Sequence, residues 1–201
     1  MKEESYLAAE TTKVSSISTH NSFTINRQLV NAKGYHDKFR HISLPRPVQE
    51  ALYQSSMKIL EHRNATQLED LYAIDARTGI VITQNCDQVT PFHTGFNSIQ
   101  YQNILDHGSK IILLHNHPSS TRPSITDINT LANEPTIACS IVIGHDASVQ
   151  VISIPVRGPK VDTIFNFWYT AGKAAGWPNQ EAKLRATDYV YAKGAVCYEK
   201  Y

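Results

Sequence analysis

The segment Lys110-Ile111-Ile112-Leu113-Leu114 is a short, continuous apolar run, and it passes directly into His115-Asn116-His117-Pro118. A run of this length and character suits a strand buried on both faces of a sheet. It predicts a central strand ending in two histidines, in a fold of mixed α/β class. Residues i and i+2 of an extended chain share a face, so both imidazoles can point at one ion as the chain leaves the sheet. Ten residues after His117 comes Asp127, in Ser124-Ile125-Thr126-Asp127, which reads as the opening of a helix. The proline-containing loop between them returns the chain so that Asp127 can supply a third ligand. Two His and one carboxylate, with a fourth position left to water, form the open ligand set of a catalytic rather than a structural zinc. Hydrolysis is the chemistry such a site suits.

The rest of the pattern fills in around that strand. Pro45 and Pro47 suit a helix start, and Val48, Leu52, Ser55, Ser56, Ile59 and Leu60 recur near a 3.6-residue period, which predicts a helix over 47–62. Residues 68–74 alternate sides, with Glu69, Leu71 and Ala73 on one and Asp70, Tyr72 and Ile74 on the other. Ala76-Arg77-Thr78-Gly79 supplies a turn and Ile80-Val81-Ile82 a β-branched return, so a hairpin is expected. Helices are expected over 97–107, stopped by Gly108, and from 124 to about Leu131 or Asn133, with strands over 139–144 and 148–154. Two helical pieces after Pro159 and Pro178 close the chain. Residues 1–34 are rich in Ser and Thr with no regular apolar pattern and read as an arm or linker. The expected organisation is an arm (1–34), a body (35–155) and a C-terminal helical extension (156–201) packed on it.

Composition narrows the function classes. The chain has 201 residues, 41% of them hydrophobic, enough for one enzyme-sized core. Nineteen Lys and Arg against 18 Asp and Glu leave a net charge of +1, which argues against a general polyanion binder. Cys86, Cys139 and Cys197 are odd in number and far apart, which fits neither a disulfide framework nor a thiolate zinc site. No apolar run approaches the ~20 residues of a membrane span, and no signal-like block opens the chain. A soluble, cytoplasmic protein without membrane partners is expected, with delivery in a phage or effector system as a variant.

Zinc hydrolysis needs a proton acceptor. If the hairpin neighbours the central strand, Glu69 stands where it can take a proton from the attacking water and return it to the leaving amine. Glu61 is the alternative, but it lies inside the expected helix. Ser124 is the candidate donor to the developing oxyanion. Each feature also has a plainer reading. His-x-His alone fits two surface histidines, Ser124 can be a helix cap, and Asp127 can serve the helix dipole. His62 and His107 suit helix C-termini, and His145 a turn.

Taken together, Glu69, His115-x-His117-Pro118 and Pro123-Ser124-x-x-Asp127 resemble the JAMM motif of the JAB/MPN zinc metalloproteases. Leu113-Leu114-His115-Asn116-His117-Pro118-Ser119 looks like the RadC branch, and 61–79 is similar to JAB-like domains of phage and mobile-element proteins. The likeness spans roughly 47–155, with one residue fewer than usual between His117 and Ser124. The resemblance implies a curved mixed sheet flanked by helices, akin to the cytidine-deaminase-like fold. It further implies one Zn²⁺ per chain on His115, His117 and Asp127, with Glu69 as acid/base and Ser124 as oxyanion residue. The implied activity is hydrolysis of a peptide or isopeptide amide in a protein or peptide substrate, including a ubiquitin-like or extended-tail one held by β-augmentation. His93, Thr94 and Asn116 are the candidate substrate-binding residues. The alternative is a RadC-like or mobile-element domain that binds nucleic acid or a protein partner, through a patch such as Lys183, Arg185 and Lys193, with little hydrolysis. Base deamination is disfavoured because the cysteine ligands of that chemistry are missing.

Overall fold

The computed structural model describes residues 23–201. Its elements are α1 (Arg27–Val30), α2 (Lys33–His41), α3 (Arg46–Arg63), β1 (Leu71–Asp75), β2 (Val81–Asn85), α4 (Ser98–His107), β3 (Ile111–His117), α5 (Ile125–Asn133), β4 (Ile137–Gly144), β5 (Val149–Ser153), α6 (Val161–Ala174), α7 (Asn179–Ala192) and β6 (Cys197–Lys200). The strands form one mixed sheet in the order β2-β1-β3-β4-β5-β6. Only β3 and β4 run parallel, linked through α5, and the other neighbours are antiparallel. Among the described residues no helix is long and apolar enough to cross a membrane.

β3 is central and buried along its whole length. Its two parities face different helix layers. Ile112 and Leu114 join Tyr35, Phe39, Val48, Leu52, Ile59 and Leu60 of α2 and α3. Ile111 and Leu113 pack with Leu71, Ala73 and Ile104 of α4 on the opposite face. The expected alternation over 68–74 holds across β1, where Tyr72 and Ile74 join the first layer and Leu71 and Ala73 the second. The strand itself starts later, at Leu71, and its return runs to Asn85. The connecting turn is built on Asp75, whose Oδ1 accepts from the Arg77 and Thr78 amides at 2.9 and 2.6 Å. Gly79 there has φ +79°, and a Cβ would fall 2.8 Å from Ala51 Cβ, so both backbone and space require glycine.

The chain ends depart from expectation. Residues 1–22 of the expected arm lie outside the described residues. From 23 onward it packs, with Ile25 and Val30 in the main core, so it does not read as a linker there. Helix α2 was not foreseen either. It presents only Tyr35 and Phe39 inward, and their rings meet edge to face at 5.3 Å. The C-terminal segment is not only helical. After α6 and α7, β6 returns to pair with β5, and Val161, Val190 and Val196 close a second core cluster with Ile128, Leu131 and Ile152. The expected boundaries at 34 and 155 therefore each run through shared cores.

Candidate metal centre

β3 extends past the apolar run to include both histidines, so they are set by sheet pairing rather than by a departing loop. His115 lies opposite Leu71 on β1 and Val142 on β4, and His117 opposite Gly144. They share the face that carries Leu113. After His117 the chain turns tightly, with the Ser120 amide donating to the His117 carbonyl at 2.9 Å and Ser120 at φ +55°. Ser124 then caps α5. Its backbone amide donates to Asp127 Oδ2 at 2.6 Å and its hydroxyl at 2.7 Å, while the Asp127 amide donates back to Ser124 Oγ at 3.3 Å. This capping box orients the Asp127 carboxylate toward the histidines.

His115 Nε2 and His117 Nε2 are 3.1 Å apart, and Asp127 oxygens stand 3.3 Å from the first and 3.5 Å from the second. Four ligands about 2.0–2.1 Å from a tetrahedral zinc are separated from one another by about 3.3–3.4 Å. The two imidazole nitrogens and the Asp127 carboxylate are thus spaced about as the ligands of such a zinc are, with Oδ1 nearer His115 and Oδ2 nearer His117. The tautomer agrees for His117. Its Nδ1 lies 3.0 Å from the Thr121 carbonyl, which only accepts, so Nδ1 carries a proton and Nε2 is the ring nitrogen that faces the cluster. Two imidazole nitrogens and a carboxylate converging on one point are a donor set that fits zinc.

The electrostatics follow the same arrangement. Burial pushes the Asp127 carboxyl up, but the facing His115 and His117 outweigh it and hold it well below the usual range. Burial works against a charged His117, while Asp127 raises its pKa overall. Glu69, buried just before β1, is pushed up by burial, partly offset by His115 and His117. It lines a cleft of about 410 Å³ together with His117, Ser124, Asp127, Phe92 and His93.

The structure sorts the expected residues. Glu69, His115, His117, Ser124 and Asp127 come together, His93 stands exposed on the cleft wall, and Thr94 is half-buried beside it. Ser124 gives its hydroxyl proton to Asp127 rather than to the cleft, so as placed it holds the Asp127 carboxylate instead of donating to an oxyanion. Asn116 is a correction. It is fully buried on the opposite parity from the histidines and touches no substrate cleft. Its Oδ1 accepts from the Asp70 amide at 2.9 Å and its Nδ2 donates to the Leu68 carbonyl at 3.1 Å, the two backbone groups that flank Glu69. A third bond, 3.3 Å long, goes to Nε2 of His145, which is buried and not a simple turn residue. Asn116 therefore ties the strand of His115 and His117 to the backbone on both sides of Glu69. Strand parity alone, which puts residue i+1 on the other face, was the available signal.

A second group, His62, Asp70 and Cys86, also brings donor atoms within 4.8 Å. Here the buried Arg63 guanidinium already pairs with Asp70 and donates to the Cys86 carbonyl, and His62 Nδ1 lies 2.7 Å from Asp70 Oδ2. His62 and His107 thus serve carboxylates, Asp70 and Asp75, rather than helix dipoles alone. The C-terminal helices also reach the site's loop. Tyr191 donates to the Pro123 carbonyl at 2.8 Å, and Arg122 pairs with Asp188 while lying over the Tyr191 ring.

Compared with family models, with curated proteins and with solved structures, the chain finds no match in any of the three. The functional reading therefore stands on the residues and their geometry.

Proposed function

We propose that this chain is a zinc-dependent metallopeptidase or isopeptidase of the JAMM type, on an MPN/JAB variant of the mixed α/β fold. The observation that carries the reading is the convergence of His115, His117 and the Asp127 carboxylate at ligand spacing beside the buried Glu69 carboxyl, whose pKa is raised, with Glu69, His117 and Asp127 lining one cleft. His115, His117 and Asp127 would hold one Zn²⁺, which when bound supplies Lewis acidity toward a carbonyl and acidifies water. The remaining work belongs to the chain's own side chains. Glu69 accepts the proton of the attacking water as the new C–O bond forms, then delivers it to the amine nitrogen as the C–N bond breaks. A raised pKa suits a group that must both take and give a proton near neutral pH. Ser124 holds Asp127, and Asn116 holds the backbone on both sides of Glu69.

The substrate class is a protein or peptide, including a ubiquitin-like or extended-tail one. β2 is an edge strand with Val81 exposed, which supports pairing with an extended tail. Three free cysteines agree with work in a reducing, cytoplasmic setting. The nucleic-acid alternative draws less support, because Arg185 is committed to Glu181 and to the Trp177 ring.

The test is metal content with hydrolysis. Purified protein is expected to carry about one zinc per chain by elemental analysis and to cleave members of a panel of peptides and ubiquitin-like conjugates. Glu69→Gln should keep the zinc and lose about 10²–10⁴-fold in rate, the usual worth of general acid–base catalysis. A fully active Glu69→Gln, or a protein that cannot be loaded with zinc, overturns the proposal.

A further inference from the structure

A second cavity, of about 200 Å³, lies against the metal centre on the same face of the sheet. Its walls are apolar, formed by Leu71, Phe96, Ile104, Ile111, Leu113 and Ile137. It is continuous with the cleft, since Thr94, Thr126 and Asp127 line both, and His115 forms part of its wall. Across its α4–α5 side the Tyr101 hydroxyl donates to Glu134 Oε2 at 2.8 Å. Protein interiors normally close voids larger than a water molecule. An apolar hollow kept open beside two metal ligands is the arrangement of a binding pocket.

We infer that this hollow is a side-chain subsite, taking the apolar side chain of the residue next to the scissile amide. The inference rests on the metallopeptidase reading. A substrate carbonyl held at the metal centre brings the side chain of the adjoining residue to the wall that His115 and Asp127 share with the hollow. Size selects a medium to large group. A cavity of roughly 150 Å³ lined by aliphatic and aromatic side chains accepts a benzene ring, so the hollow admits a leucine, methionine or phenylalanine side chain, while glycine leaves it unfilled. Mostly apolar walls, with the Glu134 and Asp127 carboxylates among them, disfavour an acidic side chain, which would lose its hydration there and gain no cationic partner.

Two arms test this. In the first, zinc-loaded enzyme is offered peptide amides with leucine, phenylalanine, glycine or glutamate on either side of the cleaved bond. The leucine or phenylalanine substrates are expected to exceed glycine and glutamate by about a hundredfold or more in kcat/KM at one of the two positions, since a single methylene in such a pocket is worth about 10–200-fold. Thr130→Trp, which places an indole at the hollow from the exposed face of α5, should cut that leucine-to-glycine ratio at least tenfold. In the second arm, zinc-free protein is titrated with N-acetyl-L-leucinamide and N-acetylglycinamide and followed by methyl NMR. Saturable shifts at Ile104, Ile111 and Leu113 are expected with the leucine probe alone, and they should vanish in a Thr130→Trp protein that unfolds at the same temperature. Equal preference for glycine, or leucine-probe shifts that persist in Thr130→Trp, overturns the subsite. The second arm needs neither zinc nor turnover, so a failed metallopeptidase reading, seen as no zinc and no hydrolysis, is told apart from a failed subsite.

Discussion

Glu69 and Asp70 are neighbours in the chain, yet they belong to opposite faces of the sheet and to two different clusters. Glu69 faces His115, His117 and Asp127, the group proposed to hold zinc. Asp70 faces His62, Cys86 and Arg63, where the cation is already part of the protein. Both groups bring three donor atoms close together. The difference lies in charge balance. A guanidinium in direct contact with a carboxylate satisfies it and repels a second cation, so the Asp70 cluster is a structural lock for the end of α3. The Asp127 carboxylate faces two imidazoles instead, and this is the group that the proposal assigns to zinc.

The largest effect that would break or confirm this contrast is in metal content. His115→Ala or Asp127→Ala should reduce zinc from about one per chain to none, while His62→Ala and Cys86→Ala should leave it unchanged. Zinc lost from the second pair of variants would invert the assignment. Next comes stability. Arg63→Met leaves the Asp70 carboxylate buried without its partner and should cost about 3–5 kcal/mol in denaturant unfolding, the usual penalty for breaking a buried pair from one side. A loss under about 1 kcal/mol would show that Asp70 is not locked by Arg63.

A smaller effect is expected where the two faces are joined. Asn116→Asp keeps the shape and the acceptor to the Asp70 amide, but it sets a carboxylate against the Leu68 carbonyl. We expect kcat to fall about 10–100-fold, as for a slightly displaced acid, with KM and zinc content little changed. A change confined to KM would contradict the positioning role. Smallest is a pH effect in the metal-free protein. The Glu69 pKa is raised on folding, so its contribution to stability is fully present below the ordinary glutamate range and is lost as pH rises through the raised value. Glu69→Gln should remove that part of the slope, which calorimetry across the carboxylate range would reveal. An unchanged slope would mean that burial does not disfavour the ionised Glu69.

Much of the centre was legible in the chain because its chemistry is local. The His115-x-His117 pair depends only on strand parity, and the Ser124 to Asp127 spacing depends only on the first turn of a helix. The same reasoning located α3, α4 and α5 to within a residue or two, because each has an apolar period or a cap. It failed for α2, which buries two aromatic residues in nine, and for β6, whose residues are all exposed and earn their pairing only from the free edge of β5. It also failed for Asn116, assigned to substrate when its neighbours' parity put it on the far face.

By itself, then, the sequence determined a central apolar strand, the two histidines at its end and the helix start that carries Asp127, since each follows from the fixed periods of strand and helix. Only the tertiary structure decided that Glu69 lies beside those three residues, that Asn116 holds it there, that Arg63 fills the second cluster, and that an apolar hollow opens beside the first. Those facts join residues dozens of positions apart, and such contacts are set by sheet order and by the burial of charge, which no local period records.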